Sequence, residues 1–189
     1  MRIAVDIDGV QADQVGSVLK RIEQDYGLTY RKSDVNRAHW TFSGKDIWNE
    51  ISLRLRDPEY VLAIPVIEGA RSAIEELSEQ DLCVVTARRP ETEKATREWL
   101  GMHFPSLTEY YHARTGSKQT ISSQVLIDDF DLNIVEFVKS HPHRRGILFK
   151  QPWSINDTGI DDYADQVYSC QGWPSVLQAI ETIMDDGHR

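Results

Sequence analysis

Long apolar runs are missing from this chain of 189 residues, and none approaches the roughly 20 residues needed to cross a bilayer. A signal-peptide pattern is missing as well, because Asp6 and Asp8 interrupt the first apolar run. We therefore expect no membrane partner and a location in the cytoplasm.

Cysteine is scarce, with Cys83 and Cys170 as the two examples. Neither they nor the six histidines have the spacing of a zinc site. Cys83 lies inside an apolar run at 82–85, which predicts a reduced thiol buried in a strand. Chemistry based on disulfides or on bound zinc is therefore not expected.

Positive charge is in deficit, since 21 lysines and arginines face 30 acidic residues and the formal net charge is −9. Binding of nucleic acid generally needs a basic surface, so we expect no nucleic-acid partner. A small anionic substrate is still consistent with this balance. A metal ion and one or two bases can make one site locally positive on an acidic protein.

What the sequence does contain is an alternation of short apolar runs with amphipathic stretches, which predicts an α/β fold with a parallel sheet. The predicted strands lie at 3–7, 82–86, 125–127, 146–149 and 166–168. The predicted helices lie after Asp13, at 69–77, after Pro90, at 132–138 and at 174–184. The first three strands are apolar nearly throughout, as expected for strands covered on both faces.

Residues 26–65 do not fit this alternation, because they are rich in polar and aromatic residues and carry no strong strand signal. We predict a small, mostly helical insertion above the carboxyl edge of the sheet, where open α/β sheets place their ligand sites. The predicted division is a cap at 14–66 and a core formed by 1–13 and 67–189.

Polar residues collect at the ends of the predicted strands. The first strand ends in Asp6 and Asp8, the second is followed by Thr86, Ala87 and Arg88, the third ends in Asp128 and Asp129, and Lys118 lies shortly before the third. The carboxyl ends of parallel strands meet at one edge, so these groups are expected to gather there. Like charges that close repel unless a cation or a shared proton intervenes.

The chemistry that needs such a set is phosphoryl transfer with a hard divalent cation such as Mg²⁺. One carboxylate can attack phosphorus, a second can move the proton, and a hydroxyl and an ammonium can hold the phosphate oxygens. Each piece alone has a plainer explanation: a solvated acidic turn, a helix cap at Thr86, a surface lysine at 118. Arg88 could contact phosphate or pair with an acid.

The motifs DIDGV, VVTAR, a single lysine and LIDD resemble the four motifs of the haloacid dehalogenase superfamily of phosphatases. The resemblance covers roughly residues 1–13 and 67–150. It implies a Rossmannoid three-layer core with a small C1-type cap, and phosphomonoester hydrolysis through an aspartyl-phosphate.

The same resemblance implies a role for each matching position. Asp6 would be the nucleophile and Asp8 the acid/base, and the implied phosphate-binding residues are Thr86, Ala87, Arg88 and Lys118. Mg²⁺ would be held by the Asp6 carboxylate, the Asp8 backbone carbonyl and Asp129. Asp128 would support that site or bind through water.

Within the superfamily, the chain is most similar to the 5′(3′)-deoxyribonucleotidase group, through DIDGVQAD at 6–13, IEGA at 67–70 and LFKQPW at 148–153. It departs from that group at Gln11, at Ser154 and in the TAR of the second motif. The implied substrates are deoxynucleoside monophosphates. The alternatives are another small phosphoester, such as a sugar phosphate, or a binding module without catalysis, and a homodimer is left open.

Aromatic residues of the insertion bear on the substrate, because a base can stack on them. Trp40 and Phe42 are the predicted stacking residues, ahead of Trp48. Against this, aromatic residues in a small insertion also build its own core.

Overall fold

The computed structural model describes residues 1–37, 39–155 and 158–186. The strands are β1 (Arg2–Val5), β2 (Thr41–Phe42), β3 (Lys45–Asp46), β4 (Asp81–Thr86), β5 (Glu109–His112), β6 (Val125–Asp128), β7 (Arg145–Phe149) and β8 (Val167–Cys170). The helices are α1 (Gln14–Tyr26), α2 (Ile47–Arg54), α3 (Pro58–Leu62), α4 (Ala70–Glu76), α5 (Glu93–His103), α6 (Asp131–Lys139) and α7 (Trp173–Asp186). Single 3₁₀ turns lie at Lys32–Asp34, Leu77–Glu79, Pro90–Thr92, Lys118–Thr120 and Ile160–Tyr163.

Six of the strands form one parallel sheet in the order β5-β4-β1-β6-β7-β8. The chain builds one half of the sheet outward from β1 and then crosses to β6 to build the other half. Ligands of open α/β sheets bind where the strand order reverses in this way. The ends of β1, β4 and β6 are therefore expected to form the floor of a site.

The apolar sequence of β1 follows from its central position, since it pairs with β4 on one side and β6 on the other. Ile3 and Val5 are fully buried in one core cluster, and Ala4 is buried in a second one with Cys83. Alternate side chains of a strand point to opposite faces, so both faces of this strand are covered.

The predicted α/β class and parallel sheet are confirmed, and each predicted strand and helix is present with its ends shifted by a few residues. The first strand is shorter than predicted: it ends at Val5, and the chain turns through residues 6–9 instead of continuing to Ile7. β5 was not predicted. It is an edge strand with mostly exposed residues, so its sequence lacks the apolar run that marks the inner strands.

Within the stretch 26–65 the structure has the helices α2 and α3 and a 3₁₀ turn, which together cover less than half of these residues, and it also has the short β2–β3 hairpin. The hairpin turn uses Ser43 and Gly44, both with positive φ. Asp46 caps α2 by accepting a hydrogen bond from the Trp48 amide at 2.8 Å. This cap fixes the start of the helix that covers the site described below.

No helix among the described residues is both long and apolar enough to span a bilayer. Part of the acidic segment 156–165, namely Asn156 and Asp157, lies outside the described residues, as do positions 187–189 of the predicted core.

Candidate active site

A buried lysine joins two of the predicted carboxylates. The Lys118 ammonium lies 2.7 Å from Asp6 Oδ1 and 2.6 Å from Asp128 Oδ2, and the lysine side chain is 1% exposed. Burial acts to lower the pKa of Lys118, but the charges of Asp128 and Asp6 outweigh it and raise that pKa. The lysine is therefore held charged in the interior.

Asn133 of α6 fixes this arrangement. Its side-chain amide donates to Asp128 Oδ1 at 3.0 Å, and its carbonyl oxygen accepts from the Gly116 amide at 2.7 Å in the loop before Lys118. The Asn133 side chain thus connects the loop before Lys118 to the end of β6. Sequence reasoning missed Asn133, although its position five residues after Asp128 on the following helix was a usable signal.

Asp129 is buried and held by the loop after β7. Trp153 Nε1 donates to Asp129 Oδ2 at 2.6 Å, and Ser154 Oγ donates to the Asp129 carbonyl at 2.5 Å. A Cβ added to Gly9 would lie 2.0 Å from Asp129 Oδ2, and Gly9 has a φ of +79°. Glycine at position 9 is therefore required both by the backbone conformation and by the close approach of this carboxylate.

Three of the carboxylates form a set that suits a metal ion. Asp6, Asp128 and Asp129 each offer an oxygen within 4.8 Å of the others. Burial, followed by the repulsion of Asp128 and Asp8, raises the pKa of Asp6 to about 7. Burial, followed by the charges of Asp128 and Asp6, raises the pKa of Asp129 well above its usual range.

Such repulsion among buried oxygens is what a hard cation relieves, so the donor set fits Mg²⁺. The Asp8 side chain does not belong to this group of three.

Asp8 instead pairs with Arg88. Arg88 Nε and Nη2 lie 2.9 and 2.6 Å from the two oxygens of Asp8, while Nη1 donates to Thr96 Oγ1 of α5 at 3.2 Å. Arg88 is 3% exposed. Of the two alternatives for this arginine, the structure shows the pairing with an acid, and it lies in the interior.

Thr86 is buried at the end of β4, where its Oγ1 accepts from the Arg88 amide at 3.1 Å. Ala87 follows it and lines the cavity above the sheet, as do Arg88 and Lys118. The residues predicted for catalysis, phosphate and metal thus lie together at the carboxyl ends of β1, β4 and β6, and Lys118 joins them from the turn that precedes β6. This is the edge where the strand order reverses.

The cavity above these groups has a volume of about 410 Å³. Its floor is charged, and its upper wall is apolar and comes largely from α2, through Trp48 and Ile51, and from Leu55, the residue that ends this helix. These positions have the spacing i, i+3, i+7 and therefore share one face of the helix. A charged floor opposite an apolar wall suits a ligand with a charged group and an uncharged body.

Trp40 and Phe42 do not line this cavity. Phe42 is 2% exposed, Trp40 stacks on it at 6.2 Å, and Tyr30 packs against both. The structure therefore places the two predicted stacking residues in the insertion's own core. Trp48, ranked behind them, faces the site, and its helical spacing with Ile51 and Leu55 was the signal that could have identified it.

The fold is shared with solved hydrolases of the haloacid dehalogenase type. A family member from Streptococcus pneumoniae matches with a TM-score of 0.60 at 13% identity, over 95% of this chain and 97% of that one. A family hydrolase from Deinococcus radiodurans, solved with bound phosphate and sodium, matches with a TM-score of 0.62 at 12% identity, over 96% and 95%. At these identities the likeness shows the fold.

Fold and family together define the class as a phosphomonoester hydrolase. The family model described as "5' nucleotidase, deoxy (Pyrimidine), cytosolic type C protein" matches residues 1–180, and the chain belongs to this family. A 5'(3')-deoxyribonucleotidase of Bacillus subtilis is 27% identical over 158 residues, which is 82% of this chain and 88% of that protein. The resemblance predicted from the motifs is confirmed.

Proposed function

We propose that this protein is a Mg²⁺-dependent phosphatase of deoxynucleoside monophosphates that works through an aspartyl-phosphate on Asp6. The observation that carries the proposal is the buried Asp6 beside Lys118, on the floor of a cavity that also receives Asp129 and Asp8. The division into a core at 1–13 and 67–189 and a cap at 14–66 belongs to the same proposal, as does cytoplasmic residence.

In the first step, an oxygen of Asp6 attacks phosphorus and the bond from phosphorus to the ester oxygen breaks. Asp8 protonates the leaving oxygen, and it then takes a proton from the water that hydrolyses the phosphoenzyme. Lys118 and Thr86 hold the phosphate oxygens while charge shifts among them. Arg88 donates hydrogen bonds to both oxygens of Asp8 and so orients the acid/base, while Thr96 of α5 holds the guanidinium.

The cation would be held by Asp6, the Asp8 carbonyl and Asp129. When bound, it supplies positive charge that offsets the charge of the carboxylates and the phosphate.

Asp129 is the better candidate for direct contact with the cation, because Asp128 already has several partners. Asp128 accepts from Lys118, Asn133 and the Phe130 amide. The Asp129 carboxylate has, among the described residues, a single hydrogen-bond donor, which is the neutral indole of Trp153. Asp128 then takes the supporting role.

The apolar wall of α2 supports a substrate with a ring system. Stacking of a base on an aromatic side chain contributes about 1–3 kcal/mol. Trp48 is the candidate on geometric grounds, since it lines the cavity and Trp40 does not. The relative from Bacillus subtilis is named for activity on deoxyribonucleotides, which favours the same substrate class. A sugar phosphatase and a binding module without turnover are the competing proposals.

The test is phosphate release from 5′- and 3′-nucleotides, deoxynucleotides and sugar phosphates, each with Mg²⁺ and with EDTA. Trp48→Ala should raise KM for deoxynucleotides by about 5–150-fold, the equivalent of 1–3 kcal/mol, and should leave turnover of acetyl phosphate, which has no ring, near wild type. Trp40→Ala is the matched control and should change neither.

Equal KM values for Trp48→Ala and wild type would refute the stacking role. Activity confined to sugar phosphates would keep the mechanism and replace the substrate, and no turnover on any of these esters would favour the binding module.

A further inference from the structure

The chain after β7 forms a short turn at residues 151–154, here called the 151–154 turn. It closes on itself, because the Ser154 amide donates to the Gln151 carbonyl at 2.9 Å and the Gln151 amide donates to Ser154 Oγ at 3.0 Å. The mechanism proposed above uses none of its residues. Three of its side chains nevertheless reach the loops that carry the predicted metal ligands.

One contact holds the loop after β1, where Gln151 Nε2 donates to the Gly9 carbonyl at 2.7 Å. The other two hold Asp129 at the end of β6, through Trp153 to the carboxylate and Ser154 to the carbonyl. The turn therefore connects the two loops that must keep a fixed separation if Asp6 and Asp129 are to share one cation.

The contact between Trp153 and Asp129 selects one oxygen. Asp129 Oδ2 takes the indole hydrogen bond and lies against Gly9, so that side of the carboxylate is filled. Among the described residues no donor reaches Oδ1, which leaves that oxygen for a cation. Since an indole N–H is a neutral donor, it orients the carboxylate without cancelling its charge. Lys118, by contrast, cancels charge at Asp128.

This use of an indole differs from that of the other buried tryptophans. Trp99 Nε1 donates to the Ile64 carbonyl at 2.8 Å, and Trp173 Nε1 donates to the Val10 carbonyl at 3.1 Å. All three rings are about 1% exposed or less, so burial alone does not set Trp153 apart. Trp153 differs from the other two because its acceptor is a carboxylate and because it lines the cavity. Its ring also meets Trp48 edge-on at 6.4 Å.

We propose that Trp153 is a positioning residue for the cation site. From within the 151–154 turn, its indole orients the Asp129 carboxylate so that this group can bind Mg²⁺. The inference rests on the proposed use of Mg²⁺. Hydrogen-bond partners of metal-ligating groups typically change metal affinity by about 10–100-fold when removed.

The experiment measures Mg²⁺ binding to the full chain without substrate, by titration calorimetry after EDTA treatment and by tryptophan fluorescence. Trp153→Phe keeps an aromatic ring and removes the donor, and we expect a Kd for Mg²⁺ that is about 10–100-fold higher. Trp99→Phe is the matched control, because it removes an equally buried indole donor whose acceptor is the Ile64 backbone carbonyl and not a carboxylate, and its Kd should equal that of wild type. Melting curves in EDTA check that both variants fold.

A wild-type Kd in folded Trp153→Phe would refute the positioning role while leaving the metal in place. Failure of the wild-type protein to bind Mg²⁺ would refute the proposed metal, and with it this role.

If Trp153→Phe does not fold, Ser154→Ala is the second test. It removes the hydrogen bond from the Ser154 hydroxyl to the Asp129 carbonyl and should also weaken Mg²⁺ binding. Ser175→Ala in α7, which removes a hydroxyl that donates to the Gly172 carbonyl just before that helix, should not weaken Mg²⁺ binding. Equal Kd values for these two serine variants would overturn the proposal.

Discussion

Removal of the Lys118 charge is expected to destabilise the metal-free protein strongly, and Mg²⁺ is expected to reverse part of the loss. The ammonium contacts Asp6 and Asp128 at 2.7 and 2.6 Å, and these two side chains are 9% and 0% exposed. Loss of one member of a buried ion pair typically costs about 3–5 kcal/mol, because the remaining charge is left uncompensated. For a chain of this size each kcal/mol shifts Tm by about 2–4 °C, so Lys118→Met should lower Tm in EDTA by about 6–20 °C.

The assay is a thermal melt in EDTA and again with increasing Mg²⁺. Lys139→Met is the matched control, since the Lys139 ammonium is exposed and lies 3.9 Å from Glu136, and exposed pairs contribute about 0–1 kcal/mol. Mg²⁺ should raise the Tm of Lys118→Met more than that of wild type, because the cation then meets a more negative cluster. The added change Asp128→Asn should restore part of the Tm, since it removes one of the repelling charges.

The reasoning would be refuted if Lys118→Met melted together with Lys139→Met in EDTA. It would also fail if Mg²⁺ stabilised Lys118→Met less than the wild-type protein.

Three further substitutions test other parts of the site. Asp8→Asn should lower kcat for phosphate release by about 10²–10⁴-fold with little change in KM, because the proton donor is lost while the phosphate contacts stay; an unchanged kcat would exclude Asp8 as acid/base. Gly9→Ala should lower Tm and weaken Mg²⁺ binding, since φ alone costs about 1–3 kcal/mol and the new Cβ meets Asp129 Oδ2 at 2.0 Å; a wild-type melt and Kd would contradict this. Thr96→Val should cost about 1.5–3 kcal/mol in denaturant unfolding, because Arg88 Nη1 loses its partner, and an unchanged midpoint would show that the hydrogen bond is replaced.

The buried pair of Asp8 and Arg88 shows that the second motif, VVTAR, orients a carboxylate of the first motif, DIDGV. Arg88 follows Thr86 by two residues, so the end of β4 places both a hydroxyl and a guanidinium at the site. Burial lowers the pKa of Arg88, but the charge of Asp8 outweighs it and raises that pKa. The arginine therefore stays charged, and its planar fork fixes the orientation of Asp8 more firmly than a single contact would.

Much of the fold and of the charged floor could be predicted from the sequence, because both depend on local patterns. Inner strands such as β1 and β6 are covered on both faces, and this forces apolar runs that can be read directly. Carboxylates that follow such runs must lie at the carboxyl edge of a parallel sheet, so Asp6, Asp8 and Asp129 were predicted to meet. The edge strand β5 was not predicted, because an exposed strand does not require an apolar run.

The tertiary structure alone decided which side chains meet across long sequence separations. The indole of Trp153 and the carboxylate of Asp129 are 24 residues apart, and Arg88 and Asp8 are 80 apart, so no local periodicity relates them. The same holds for the aromatic residues of the insertion. The helical spacing of Trp48 with Ile51 and Leu55 marks a shared face, but only the packing of α2 over the sheet decides that this face lines the cavity while Trp40 packs on Phe42. Composition determines what can be buried, whereas packing decides which neighbour a buried group finds.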